Sequence, residues 1–194
     1  MLSMNKLKYA AGAALLASAF AAPSAYAADP VLSIVATPSS GVVGSTIDLD
    51  ITISGVSDLY GYNFSLLFNP AYLRASSASE GAFLGAAGGA TDFGVADLSG
   101  TPGQVFYVYG TRFGPVPGAN GGGILAHLRF DVIGAGTSTL SFADVAFVNS
   151  LNGDITPQLG TKTLVTSAVP EPQTYLMMGV GLIGLAALRR RQVS

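Results

Sequence analysis

Residues 46–54 read Thr-Ile-Asp-Leu-Asp-Ile-Thr-Ile-Ser. Ile47, Leu49, Ile51 and Ile53 share one face of an extended chain, and Asp48, Asp50 and Thr52 share the other. That period-two alternation marks a half-buried strand. It recurs at 62–68, where Tyr62, Phe64, Leu66 and Phe68 oppose Asn63, Ser65 and Leu67. It recurs again at 126–132, with Ala126, Leu128, Phe130 and Val132 inward and His127, Arg129 and Asp131 outward. β-Branched and aromatic residues place further strands at Val31–Ala36, Val105–Gly110, Ser138–Phe142, Val145–Val148 and Thr161–Thr166. The breaks carry turn chemistry: Pro38-Ser39-Ser40-Gly41, Asn69-Pro70, Thr101-Pro102-Gly103 and Asn152-Gly153-Asp154. Many short strands without a long helical pattern predict an all-β fold, a sandwich of two antiparallel sheets.

Composition narrows the function. Only 10% of the 194 residues are charged, far below the roughly 25% of an ordinary soluble domain. A disordered polyelectrolyte, a coiled coil and an ion-pair-laced helical bundle are thereby excluded. There is no Cys, which removes disulfides, thiol nucleophiles and Cys-ligated zinc. A single His leaves one imidazole for acid–base work. The Gly-rich stretches 85–89 and 118–123 read as loops, and neither continues into the Gly-Lys-Ser/Thr of a phosphate-binding loop.

The ends differ from the middle. Lys6 and Lys8 precede an apolar run from Tyr9 to Ala22, then Pro23 and Ala25-Tyr26-Ala27. A basic start, a short apolar core and an A-x-A site describe a secretory signal peptide over 1–27, with a signal helix and a mature chain beginning at Ala28. At the other end Pro170-Glu171-Pro172 is followed by the apolar stretch Tyr175–Leu188 and by Arg189, Arg190 and Arg191. A helix over 175–188 is about 21 Å long, short against the roughly 30 Å hydrocarbon core. The arginines place it with its C-terminal end in the cytoplasm and the preceding chain outside.

Pro-Glu-Pro, a short apolar helix and terminal arginines resemble the PEP-CTERM sorting signal over 169–194. The resemblance implies a single short transmembrane helix and processing by an exosortase in a Gram-negative bacterium that makes exopolysaccharide. Export across the inner membrane to the periplasm, then transfer to the cell surface or release, would follow. The remaining domain, 28–168, holds four basic and ten acidic residues, a net charge of −6. So acidic a surface argues against nucleic acid as a partner.

The order of segments within this domain carries a second resemblance. Gly41-Val42-Val43-Gly44-Ser45-Thr46 leads into the alternating strand, followed by Gly61-Tyr62-Asn63-Phe64-Ser65-Leu66-Leu67-Phe68-Asn69-Pro70 and Tyr72-Leu73. Later come Leu128-Arg129-Phe130-Asp131-Val132 and Gly136-Thr137-Ser138. These resemble a cohesin domain, which implies a jelly-roll sandwich of about nine strands, related to carbohydrate-binding modules, with a dockerin-like module as partner. Where cohesins of cellulosomes carry an Asn-x-Asp pair toward the dockerin, this chain has Gly61 and Asn63.

Candidate sites follow. Asn63, Ser65 and Leu67 form a flat, weakly charged strand face suited to a protein partner. Tyr60, Phe106, Tyr107, Tyr109 and Phe113 are aromatics that can fill a core or stack on a sugar. His127 with Asp131 reads as a solvent-facing pair or as a general base. Asp48 and Asp50 lie side by side on one face rather than across a glycosidase cleft. Asp144, Asn149, Asn152 and Asp154 offer oxygens to calcium, although an Asn-Gly turn accounts for them equally. Asn63-Phe64-Ser65 is a mid-strand sequon. No catalytic set and no cofactor motif is present. The expectation is a secreted, non-catalytic cell-surface or matrix module that binds a protein, with exopolysaccharide as the alternative partner. Neutralising Arg189, Arg190 and Arg191 should impair surface sorting, read by cell fractionation, and leave the circular dichroism of the domain unchanged.

Overall fold

A computed structural model describes residues 29–169 and 177–183. The signal segment with Ala25, Ala27 and Ala28 lies outside the described residues, as do Pro170, Glu171, Pro172, Arg189, Arg190 and Arg191. Of the short span expected over 175–188, residues 177–183 are helical. No helix among the described residues is long and apolar enough to cross a membrane.

The domain is all-β apart from one helical turn. In chain order it contains β1 (Val31–Thr37), β2 (Ser40–Val42), β3 (Thr46–Leu67), β4 (Leu73–Glu80), α1 (Ala82–Ala86) and β5 (Thr91–Asp97). There follow β6 (Gln104–Arg112), β7 (Ala119–Val132), β8 (Gly136–Asn149), β9 (Asp154–Ile155), β10 (Gln158–Leu159) and β11 (Lys162–Ser167). Eleven described strands thus replace the nine expected. The alternating stretches 46–54 and 62–68 are two halves of one 22-residue strand. The stretches 138–142 and 145–148 are likewise joined in β8. Strands β2, β4, β5, β9 and β10 escaped the pattern because they are short or rich in Ser, Ala and Gly.

Each half of β3 organises its own group of strands. Residues 46–53 pair antiparallel with β1 on one side and β7 on the other, and β4 extends the group beyond β7. Residues 61–67 pair with β6 and β8, and β5 extends it beyond β6. β8 continues to β11, which is parallel to β2. Ile47, Leu49, Ile51 and Ile53 of the first half and Tyr62, Phe64 and Leu66 of the second all enter one core. Leu32, Leu128, Phe130, Val105, Val108, Leu140, Phe147 and Leu164 complete it, so the core is closed by the domain's own residues.

The buried apolar residues are odd-numbered in the first half of β3, Ile47 to Ile53, and even-numbered in the second, Tyr62 to Leu66. Such a change needs an odd number of extra residues, because a one-residue slip inverts every side chain. β3 makes the change between Ile53 and Tyr62: its register slips twice against β7, at Ile53/Val56 and at Val56/Leu59, and a third time against β8, at Leu59/Gly61. Gly55 (φ +69°) and Asp58 (φ +57°) take the left-handed conformations of this kink.

Asp58 then ties the kink to two distant segments. Its carboxylate accepts bonds from the Gly118 N–H at 2.6 Å and from the Ser150 N–H and hydroxyl at 3.2 and 2.7 Å. Gly118 has no room for a Cβ, which would overlap the Asp58 backbone. The Gly-rich stretch 118–123, expected as a loop, is therefore mostly strand, since β7 begins at Ala119. Its glycines let β7 cross β3 closely: a Cβ on Gly122 would stand 2.7 Å from the Ile53 carbonyl oxygen. The 85–89 stretch is part helix α1 and part turn.

Bonds from Ser150 and Gly118 hold the Asp58 carboxyl below its usual range. A depressed folded value means that this stabilisation is complete above the unfolded pKa and is lost as the pH falls through the folded one. The urea midpoint should therefore drop as the pH falls below about 4, the ordinary range of an aspartate. Asp58→Asn should lower the midpoint at neutral pH and flatten part of that acid dependence.

Candidate functional site

The second half of β3 sits between two strands that each bulge against it. Its register with β6 shifts between Phe64 and Leu66, and its register with β8 between Asn63 and Ser65. Tyr107 (φ +52°) and Asp144 (φ +51°) are the left-handed residues of the two bulges. Both are costly conformations for side chains of this kind, and β3 supplies the compensating bonds. The Tyr107 N–H donates to Ser65 Oγ at 3.2 Å, and Asn63 Nδ2 donates to the Asp144 carbonyl at 2.7 Å.

This corrects the expected partner face. Ser65 is 0% exposed, sealed beneath the β6 bulge, and offers no hydroxyl to a partner. The sequon Asn63-Phe64-Ser65 is closed for the same reason. Asn63 is half-buried, and Leu67 is exposed at the end of β3.

The outer face nevertheless contains a groove, built from two rows of cross-strand neighbours. One row runs Thr111 (β6), Gly61 (β3), Val148 (β8), and the next runs Tyr109, Asn63, Ala146. These residues with Tyr107 line a depression of about 360 Å³. It exists because Gly61 contributes no side chain: a Cβ there would already stand 3.3 Å from Thr111 Oγ1 and 3.4 Å from Val148 Cγ2. The Tyr109 ring lies across Gly94 of β5, where a Cβ would meet it at 2.6 Å. Exposed Phe106 and Tyr107 and the loop residue Phe113 extend the aromatic surface. Sequence reasoning singled out Gly61, Asn63, Tyr107 and Tyr109 but missed Thr111, Ala146 and Val148. The alternation of Ala146 and Val148 around buried Phe147 was the available signal.

The aromatics do not form a flat platform. Tyr107 is tilted 43° to Phe106 and 44° to Tyr109. Tyr60 is engaged locally, its hydroxyl donating to the Gly114 carbonyl at 2.7 Å.

The other sheet face is occupied by its own charges. Arg129 Nε and Nη2 bond the two Asp48 oxygens at 2.7 and 3.2 Å. His127 Nδ1 stands 2.6 Å from Asp50 Oδ1, and Arg74 reaches Asp131 at 2.9 Å. His127 thus pairs with Asp50 on the next strand, not with Asp131 as expected. The Arg129 guanidinium lowers the Asp48 pKa, which keeps that carboxylate ionised. Asp48 and Asp50 are each paired with a separate side chain, Arg129 and His127, on an open face, which is no arrangement for glycoside cleavage.

Of the oxygens considered for calcium, the Asn149 amide oxygen is spent on a turn. Asn149 Oδ1 accepts from the Leu151 and Gly153 N–H groups at 2.9 and 2.7 Å, and Asn152 holds the left-handed position (φ +61°). Among the described residues no three His, Asp or Glu side chains gather to hold a metal ion.

Comparison with known proteins agrees with this architecture. The family model described as a cohesin domain matches residues 32–166, and the PEP-CTERM protein-sorting motif matches 168–191. A cohesin module from a Clostridium perfringens family 33 glycoside hydrolase is 11% identical, covering 73% of this chain and 97% of its own, with a TM-score of 0.57. A Clostridium thermocellum type I cohesin solved in complex with a dockerin is 13% identical, covering 72% and 95%, with a TM-score of 0.56. A non-cellulosomal cohesin from Archaeoglobus fulgidus is 16% identical, covering 77% and 98%, at 0.54. At these identities the likeness is one of fold. No curated protein matches the chain.

Ser65→Ala leaves the Tyr107 N–H without an acceptor beneath the bulge and should cost about 1–2 kcal/mol in urea denaturation. Leu67→Thr, at an exposed strand end, should stay within about 0.5 kcal/mol of the parent.

Proposed function

Because the chain belongs to the cohesin-domain family, we propose that it is an exported, non-catalytic module that docks a protein on the outer face of β5, β6, β3 and β8. The observation that carries this reading is the preformed groove around Gly61, rimmed by exposed aromatic side chains on a hydrogen-bonded sheet. A rigid concave apolar surface with Tyr at its rim suits protein docking, since little ordering entropy is lost on binding. The opposite face lacks this character, because its polar groups are consumed in pairs with one another.

A dockerin-like module is the partner class, by analogy with the cohesins solved with dockerins. Gly61 and Asn63 depart from the family's paired donors, so recognition here rests on shape and on the groove's own rim. The tilted rings disfavour a polysaccharide, whose pyranose faces stack on coplanar aromatic surfaces. An exosortase processes the tail near Pro170-Glu171-Pro172 after export across the inner membrane. The domain then reaches the cell surface or the medium of a Gram-negative bacterium, as the sorting motif supports.

Ala146 is exposed on the groove wall, so Ala146→Tyr fills the groove with little effect on folding. Immobilised parent domain should retain one protein from the producing organism's secreted fraction at stoichiometric yield. The variant should retain it about tenfold less well. Retention of glycan without protein, or equal retention by both domains, would overturn the reading.

A further inference from the structure

The groove's central row extends beyond the groove itself. Asp92 of β5 lies opposite Thr111, and Asp154 of β9 lies opposite Val148. The full row is therefore Asp92, Thr111, Gly61, Val148, Asp154 across five strands. At a strand spacing of about 4.8 Å, each Asp stands about 10 Å from Gly61, one on either side. Both are exposed, and Asp144, also exposed, projects from the β8 bulge beside the groove.

None of the described basic side chains answers these acids. Arg74 and Arg129 are paired with Asp131 and Asp48 on the other sheet, and His127 with Asp50. Arg112 is 2% exposed and is spent on the carbonyls of Leu84, Ala87 and Gly88 that end α1. Lys162 lies opposite Leu140, at the far end of β8 from Val148 and about 26 Å along the strand. The domain thus neutralises its acids on one face and leaves them uncompensated around the groove. A metal ion does not explain that segregation, because Asp92 and Asp154 are about 19 Å apart and cannot share an ion.

From this juxtaposition we infer that the groove receives a single Lys or Arg side chain of the partner, its stem on Val148, Ala146 and Tyr109 and its charged head toward Asp92 or Asp154. The inference rests on the docking reading above and names what the docked surface presents. A long basic side chain matches both halves of the site, since its stem packs on apolar walls while its head stays near water. Tyr107 and Tyr109 add ring faces to which a cation is attracted within about 6 Å. An acidic partner would be repelled by the same three carboxylates.

The test is a chemical-shift titration of the isotopically labelled domain, whose core is closed by its own residues, with three capped amino acids. N-acetyl-arginine methylamide is the cationic probe, N-acetyl-norleucine methylamide supplies a similar stem without charge, and N-acetyl-glutamate methylamide reverses the charge. The arginine probe should shift the amides of Gly61, Asn63, Thr111 and Ala146 saturably, binding about fivefold more tightly than norleucine. The double variant Asp92→Asn/Asp154→Asn, at two exposed sites, should shrink that preference to about twofold or less, and about 0.5 M salt should do the same. The glutamate probe should leave the groove amides unmoved. Equal binding of norleucine and arginine at these amides would overturn the cation pocket and leave the docking face standing. Saturable shifts confined to the Asp50–His127 face, or none with any probe, would overturn the cation pocket. The former would remove the docking face as well.

Discussion

Between Ile53 and Tyr62 the single strand β3 exchanges the parity of its buried apolar side chains, and both groups of strands are assembled on either side of that exchange. Without it, the apolar set Tyr62, Phe64 and Leu66 would face water if Ile47 to Ile53 faced the core. The exchange needs left-handed backbone at Gly55 and Asp58. Asp58 also offers a carboxylate that gathers Gly118 and Ser150, so the residue that bends the strand also fixes the segments entering β7 and leaving β8. One kink thereby links local backbone conformation to the packing of the whole core.

Downstream of the kink the same device is used twice more. The bulges at Tyr107 and Asp144 flank β3 on both sides, and Ser65 and Asn63 supply their missing bonds. Bulges turn side chains outward and increase local twist. Here the β6 bulge presents exposed Tyr107 to the groove that Gly61 opens. Of the residues read from sequence as a recognition strip, Asn63 and Ser65 thus brace a groove whose walls belong to neighbouring strands.

Much of the fold was legible in the sequence because period-two alternation survives wherever one face is buried. Ile47 to Ile53, Tyr62 to Leu66 and Ala126 to Val132 all point where the pattern puts them. What was not legible follows from the same physics. β4 and β5 carry Ser, Ala and Gly at positions where edge strands need little apolar surface, and the stretch after Gly118 hides a strand behind residues that resemble a loop. Exposure of Ser65 could not be inferred from its parity, because an insertion in β6, a separate strand, decides whether it is covered. The ion-pair ladder shows the same dependence: His127 finds Asp50 across β3 rather than Asp131 on its own strand.

The two outer faces consequently divide the labour. One carries paired polar side chains on β4, β7 and β3. The other keeps its apolar floor and its acids unanswered. The most direct test of that division is site-specific photocrosslinking in the producing cells, with a photoreactive phenylalanine placed at Tyr107 in one variant and at Ser77 in another. Docking on the groove face predicts a discrete protein adduct from position 107 and none from position 77. Protein adducts from position 77 alone, or glycan adducts in place of protein at position 107, would contradict it.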